Sequence, residues 1–132
     1  MTIVVDASVI VAAVVDSGAV GSWALQQCER DDMAAPHLMP AEAANILRRS
    51  SLHGDLSADG AAIAHRDLLD LDVEYFPYLP FADRVWELRQ NVTSYDAWYV
   101  ALAEHLGAVL VTLDRRLAAA SGPRCGFLTF DR

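Results

Sequence analysis

Two apolar segments rich in β-branched residues, each ending in an aspartate, constrain the fold of this chain most strongly. The first, TIVVD, ends at Asp6, and the second, VLVTLD, ends at Asp114. Such short apolar runs are typical of strands buried on both faces, as in a parallel sheet covered by helices. The polar residue at the end of TIVVD indicates that the chain turns there into a helix.

Helices are predicted between these two strands, where apolar residues recur at helical spacing. The helical segments span residues 19–30, 39–52, 57–70, 80–90 and 95–106. Shorter strands are predicted at Met33–Ala35, Val73–Phe76 and Phe127–Thr129. Strands that alternate with helices favour an α/β fold, with a central, mostly parallel sheet flanked by helices on both faces. At 132 residues the chain is long enough for one such domain and too short for two, so one domain over residues 1–132 is expected.

The charge and cysteine content exclude several kinds of protein. The net charge is −8, all ten basic residues are arginine, and there is no lysine. A broad basic surface for non-specific nucleic-acid binding is therefore excluded, as is any mechanism that needs a lysine. Cys28 and Cys125 are far apart and suggest neither a disulfide framework nor a zinc site, which favours the reducing cytoplasm. No apolar run is long enough to cross a membrane, so no membrane association is expected.

Four acidic residues stand where a parallel sheet could bring them together. The carboxyl ends of parallel strands lie along one edge of the sheet, and ligand sites form in the crevice beyond that edge. Asp6 and Asp114 directly follow the two strands and should face the same crevice. Glu42 and Asp96 fall in the first turns of predicted helices. For each acid taken alone, simple helix capping explains the position, because an acid there stabilises the free N–H groups of the first turn.

Two hydroxyl side chains accompany the strand-end acids and favour a metal site over capping alone. Ser8 lies two residues after Asp6, and Thr112 lies two residues before Asp114, where each hydroxyl could orient a carboxylate or a bound water. Several carboxylates crowded into one crevice repel one another unless a cation compensates. Oxygen ligands select Mg²⁺ or Mn²⁺ rather than zinc. The four histidines show no metal-binding spacing, and the chain has no phosphate-binding glycine motif.

Three segments of the sequence resemble the PIN-domain ribonucleases, and within them the VapC-type toxins of bacterial toxin–antitoxin pairs. These segments are VVDASVIVA, MPAEAANILRR and TSYDAWYVALAEHLGAVLVTLDRRL, and the resemblance covers nearly the whole chain. One departure is Ala7, where the family commonly has threonine or serine. The resemblance implies a catalytic site of four metal-binding carboxylates and two supporting hydroxyls: Asp6, Glu42, Asp96, Asp114, Ser8 and Thr112. Of these, we expect Asp6 and Asp96 to be the most direct metal ligands.

The resemblance also implies a function and partners. The chain is expected to be a divalent-metal-dependent endoribonuclease, using Mg²⁺ or Mn²⁺, that acts as a toxin and leaves a 5′-phosphate and a 3′-hydroxyl. RNA is the expected substrate, a cognate antitoxin the expected inhibitor, and a homodimer the expected assembly. The helices at residues 19–30 and 39–52 are candidate antitoxin surfaces, although an amphipathic helix more commonly packs on its own domain core.

Arginines near the rim of the site are the candidates for holding RNA, because arginine forms bidentate contacts with phosphate. A solvated helix face explains them equally well. The aromatic residues Trp98 and Tyr99 could stack on bases, but their place in an alanine-rich helix favours burial in the core. The arginine candidates are Arg48, Arg49, Arg115 and Arg116.

Two other functions are compatible with the predicted fold. A phosphatase or phosphoacceptor domain also places an aspartate after its first strand. Such sites usually depend on a lysine, however, and this chain has Ser8 where a second acid would be expected. A protein of this fold without activity could instead act as a binding scaffold. Cleavage of RNA, turnover of a phosphate monoester, or inertness to both would separate the three functions.

Overall fold

The computed structural model of the protein describes residues 1–131, which contain one five-stranded sheet. The strand order is β3-β2-β1-β4-β5, and every pair of neighbouring strands is parallel. The predicted α/β fold with a central, mostly parallel sheet is confirmed. The strands are β1 (Thr2–Val5), β2 (Asp32–Pro36), β3 (Val73–Phe76), β4 (Val109–Val111) and β5 (Phe127–Leu128).

The helices connect these strands and cover both faces of the sheet. Two predicted helices, 19–30 and 39–52, match the structure at both ends. The predicted helix 80–90 is too long, because residues Leu79–Phe81 form a separate 3-10 turn that contains Pro80 and the following helix ends at Glu87. The helices are α1 (Ala7–Val15), α2 (Ala19–Arg30), α3 (Met39–Leu52), α4 (Ala58–Asp70), α5 (Ala82–Glu87), α6 (Ser94–Leu106) and α7 (Arg115–Ala118).

The central strands lie entirely inside the core, as their uninterrupted apolar sequences predict. Val4 and Val5 of β1 and Leu110 and Val111 of β4 have no exposed surface. Helix α6 packs against β1, β2 and β4. Both faces of these strands are therefore covered, and only their ends reach solvent.

Helix α1 is apolar along most of its length because it packs into the core. Five of its nine residues are buried, among them Val9 and Ile10, which have no exposed surface. Among the helices of residues 1–131, none alone combines the length and the apolar composition needed to cross a membrane. Only α1 and α2 taken together reach those limits, with a bend of 112° between them.

A cluster of polar contacts fixes the chain that leads into β5. Arg84 donates to Glu104 at 2.7 and 3.0 Å and to the Gly122 carbonyl at 2.9 Å. Glu104 also accepts from the Arg124 backbone N–H at 2.7 Å. Burial alone would raise the pKa of Glu104, but these donors outweigh it and hold that pKa below its ordinary value. The carboxylate therefore stays charged at neutral pH and ties this loop to α6.

The strand order places a crevice at the carboxyl ends of β1 and β4. Strands β2 and β3 lie on one side of β1 in the sheet, and strands β4 and β5 lie on its other side. Ligand sites of open α/β sheets form at such a reversal, outside the carboxyl ends of the two strands. Asp6 directly follows β1, and its backbone N–H donates to the Val111 carbonyl at the end of β4 at 3.1 Å.

Candidate active site

All four predicted carboxylates line one pocket of about 270 Å³ at this crevice. They come from four different parts of the chain: the ends of β1 and β4 and the first turns of α3 and α6. Of the two predicted hydroxyls, Ser8 lines the pocket and Thr112 is completely buried behind it. The pocket is lined by Asp6, Ala7, Ser8, Glu42, Asn45, Ile46, Arg49, Asp96, Tyr99 and Asp114.

Hydrogen bonds fix both carboxylate oxygens of Asp6. Its Oδ1 accepts from the Ser8 backbone N–H at 2.6 Å, and its Oδ2 accepts from the Thr112 hydroxyl at 2.5 Å. The Thr112 hydroxyl in turn accepts from the Asp114 backbone N–H at 3.0 Å. The Ser8 hydroxyl accepts from the Leu113 N–H at 3.2 Å. The Ser8 backbone N–H and the Thr112 hydroxyl therefore hold Asp6 in a single orientation, and the Ser8 hydroxyl adds a second link between the ends of β1 and β4.

Asp6 and Asp114 are helix N-caps, whereas Glu42 and Asp96 are not. Asp6 caps α1, and Asp114 caps α7 by accepting from the Arg116 and Leu117 N–H groups at 3.0 and 3.2 Å. Glu42 makes no capping bond to α3, and α6 is capped by Thr93, which accepts from the Asp96 N–H. A capping hydrogen bond therefore does not account for the positions of Glu42 and Asp96, although an acid in the first turn of a helix is still favoured by the helix dipole.

Glu42 and Asp96 are held in the pocket at an energetic cost. Burial raises the pKa of Asp96, and the charges of Asp6 and Asp114 raise it further, against a smaller opposite effect of the Thr93 hydroxyl. Burial also raises the pKa of Glu42; the hydrogen bond from Tyr99 opposes this rise, and the charges of Asp6 and Asp96 add to it. Raised pKa values in a cluster of acids are characteristic of functional sites, where a ligand offsets the repulsion.

Tyr99 is a pocket residue whose role the sequence did not reveal. Its side chain is only 2% exposed, which confirms its predicted place in the core. Its hydroxyl nevertheless reaches the pocket and donates to Glu42 Oε1 at 2.6 Å. Burial and this bond to Glu42 raise the pKa of Tyr99, so the hydroxyl stays protonated and remains a donor. The three-residue spacing from Asp96 was an available signal, because residues i and i+3 share a helix face.

The same spacing rule accounts for the residues that α3 adds to the pocket. Asn45 and Ile46 follow Glu42 by three and four residues, and Arg49 follows it by seven, so all four lie on one face of the helix. Arg49 is exposed and is the only basic residue in this pocket lining.

The donor atoms suit a hard divalent cation but do not form a coordination shell. The titratable lining groups that could bind a metal are all carboxylates, which Mg²⁺ and Mn²⁺ prefer. Within residues 1–131, however, no three histidine, cysteine or acidic side chains are close enough to share one ion. Some of the carboxylate oxygens already accept from protein donors, as Asp6 does from Thr112 and Glu42 from Tyr99.

Neither cysteine nor histidine chemistry is available in this pocket. None of the four histidines is among its lining residues. Burial raises the pKa of both Cys28 and Cys125 to about 11, so both remain thiols at neutral pH. The groups that remain for chemistry are the four carboxylates and the hydroxyls that contact them.

This parallel α/β fold, with an acidic pocket at its reversal point, has counterparts among known proteins. The family model of the PIN domain matches residues 3–123, so the chain belongs to the PIN-domain family. Ribonuclease VapC1 of Mycobacterium tuberculosis is 41% identical over 124 residues, which cover 92% of each chain. Within the PIN-domain family, this chain is one of the VapC group.

Solved structures share the fold of this chain. The crystal structure of PAE2754 from Pyrobaculum aerophilum superposes with a TM-score of 0.73 at 26% identity, covering 96% of this chain and 83% of that one. VapBC2 from Rickettsia felis, bound to a DNA fragment from its promoter, gives a TM-score of 0.70 at 15% identity and covers 99% of this chain and 100% of that one. At this lower identity the likeness concerns the fold alone.

Proposed function

We propose that this chain is the endoribonuclease toxin of a toxin–antitoxin pair, and that it hydrolyses RNA with a divalent cation held by its four carboxylates. The observation that carries the proposal is the convergence of Asp6, Glu42, Asp96 and Asp114 on one pocket, although only two of them cap helices. The VapC1 relative is a ribonuclease by name, which supports RNA as the substrate.

The residues of the pocket have different roles in the proposed hydrolysis of a phosphodiester bond. A bound Mg²⁺ or Mn²⁺ would supply a more acidic water and offset the negative charge that develops on the phosphate. Asp6, fixed through both oxygens, and Asp96 are the direct ligands in this proposal, with Glu42 and Asp114 completing the set. Glu42 combines a raised pKa with one oxygen held by Tyr99, and is therefore suited to accept the proton of the attacking water.

An assay of two substrates tests this function against its alternatives. The purified chain is incubated with structured RNA and, separately, with a phosphate monoester, each with Mg²⁺, Mn²⁺ or a chelator. We expect cleavage of RNA alone, and only with a divalent cation. Monoester turnover would instead indicate a phosphatase, and inertness to both substrates a binding scaffold. Sequencing the new 5′-phosphate ends then maps the cleavage site.

Tyr99 is proposed to act as a positioning residue through Glu42. Tyr99→Phe removes the hydroxyl and leaves the ring, so Glu42 loses its only hydrogen-bond donor among residues 1–131. We expect kcat to fall by about ten- to a hundredfold, as for partners that orient metal ligands, with little change in KM. Unfolding should become easier by only about 1 kcal/mol. Tyr75→Phe is the control, since Tyr75 is a half-buried tyrosine that lies outside the pocket. Equal kcat values for Tyr99→Phe and wild type would contradict this role.

The partners proposed for this chain follow from its membership of the VapC group. A cognate antitoxin is expected to place a basic side chain among the four carboxylates, where an arginine could substitute for the cation. Support for such a partner comes from VapBC2, a toxin–antitoxin complex with this fold. A homodimer and a cytoplasmic location complete the proposal. An antitoxin that left metal binding unchanged would contradict insertion into the pocket.

A further inference from the structure

A second cavity, of about 320 Å³, adjoins the acidic pocket and shares two lining residues with it. Asp96 and Asp114 line both cavities. The remaining walls are the loop 91–93, which precedes α6, and residues of and after α7. A chain-like substrate bound over Asp96 and Asp114 would therefore lie next to both cavities.

The walls of the second cavity combine a cation, an amide and an apolar floor. Arg116 is exposed, and within residues 1–131 its guanidinium makes no ion pair or hydrogen bond. Asn91 is also exposed and offers an amide with two donors and one acceptor oxygen. Val92 and Leu117 are 7% and 4% exposed and form the floor. These features match a nucleotide, because arginine binds phosphate and an amide reads the edge of an unpaired base.

The structure also separates the four arginines that the sequence offered for RNA binding. Arg49 lines the acidic pocket and Arg116 the second cavity. Arg115 donates to the Phe130 carbonyl at 3.3 Å and lines a different cavity, and Arg48 lines neither of the first two. One exposed arginine therefore lies in each cavity, with Asp96 and Asp114 between them. A negatively charged strand held at both points would be drawn over the carboxylates despite the net charge of −8.

We propose that the second cavity is the subsite for the nucleotide next to the scissile phosphate in single-stranded RNA. Arg116 binds the phosphate of that nucleotide, and Asn91 contacts its base. The proposal rests on the ribonuclease function proposed above. It adds a specificity site to that function, because a subsite that holds one base can favour particular sequences around the cut.

The test combines an arginine variant with a chemically altered substrate. The substrate is a short single-stranded RNA spanning the mapped cleavage site. Two altered versions carry a neutral methylphosphonate in place of the phosphate on one side or the other of the scissile bond. Arg116→Ala is expected to lower kcat/KM on the natural RNA by about ten- to a hundredfold, the range for a hydrogen bond to a charged group. Arg66→Ala, an exposed arginine of α4 outside both cavities, is the matched control.

The decisive result is that the effects of Arg116→Ala and of the methylphosphonate do not add when the methylphosphonate lies on one particular side of the scissile bond. With one altered substrate, wild type should fall to the level of Arg116→Ala, and Arg116→Ala should lose nothing further. Equal activity of Arg116→Ala and wild type on natural RNA, or losses that add on both altered substrates, would overturn the subsite. Wild-type protein that cleaves no RNA would instead overturn the proposed function. Asn91→Ala should relax the base preference next to the cut in the sequenced ends, and an unchanged preference would remove Asn91 from the proposal.

Discussion

Asp96→Asn is expected to abolish RNA cleavage while the fold remains intact, and Asp6→Asn is expected to do the same. Each change removes a negative charge that the proposed mechanism assigns to metal binding, and each keeps the shape of the side chain. A bound ion supplies several kcal/mol of transition-state stabilisation, and this contribution is lost when the ion no longer binds in place. Because about 1.4 kcal/mol corresponds to a tenfold change in rate, kcat should fall by at least about a hundredfold. The measurement is cleavage of RNA in the presence of saturating Mg²⁺.

The fold should tolerate both substitutions for reasons visible in the structure. Asparagine caps a helix about as well as aspartate, so Asp6→Asn keeps the start of α1, at the cost of the hydrogen bond that Oδ2 accepts from Thr112. Asp96 does not cap α6, and its replacement relieves repulsion with Asp6 and Asp114. The melting temperature should therefore stay within a few degrees of wild type. Asp59→Asn is the control, because Asp59 is an exposed acid in the first turn of α4. Full activity of both Asp6→Asn and Asp96→Asn would contradict the proposed mechanism.

Removal of divalent cations is expected to stop RNA cleavage completely and to lower the stability of the protein. Cleavage should return when Mg²⁺ or Mn²⁺ is added. It should not return when Na⁺ is added at a concentration that supplies the same total positive charge. A ligand that binds only the folded state stabilises it by about 2.7 kcal/mol at a hundred times its dissociation constant. The melting temperature should therefore rise with cation concentration. Cleavage that continues in excess chelator would contradict the metal requirement.

Glu42→Gln separates the repulsion among the acids from metal binding. In the metal-free protein the pKa values of Glu42 and Asp96 are raised, so both groups bind protons more tightly when folded. They therefore stabilise the fold below the ordinary carboxyl pKa of about 4, and this contribution is lost as the pH rises through the raised values. At neutral pH, Glu42→Gln should melt at a higher temperature than metal-free wild type, because the amide is neutral and still accepts from Tyr99.

Comparison of the two proteins across pH and metal concentration checks this reasoning. The advantage of Glu42→Gln should shrink as the pH is lowered, since Glu42 then becomes protonated and neutral in wild type. Addition of Mg²⁺ should stabilise wild type more than the variant. A variant that melts below metal-free wild type at neutral pH would show that charge repulsion does not limit the stability of this pocket.

Much of the fold could be predicted because its elements are defined by local patterns. The apolar run before Asp6 identifies β1, and the spacing of apolar residues identifies α2 and α3 to the residue. The segment around Pro80 was predicted less well, since a 3-10 turn and a short helix share the periodicity of one longer helix. That one domain fills all of residues 1–132 stays a prediction, because Arg132 lies outside the described residues.

The sequence by itself determined the parallel sheet and the meeting of Asp6 and Asp114 at its edge. Asp6 directly follows β1, and Asp114 follows the end of β4 at Val111 by three residues, because the strand stops before Thr112 and Leu113. Parallel strands end on the same side of their sheet, so both acids lie at one edge. Glu42 and Asp96 were predicted as site residues from the family resemblance, and the tertiary structure shows that α3 and α6 place them in the same pocket. Only the tertiary structure joined Tyr99 to Glu42 and separated Arg49 and Arg116 from the other candidate arginines. The physical reason is that a residue at the carboxyl end of a parallel strand always lies at the same edge of the sheet. The direction of a helical side chain depends instead on how α3, α6 and α7 pack, and periodicity within each helix does not specify that packing.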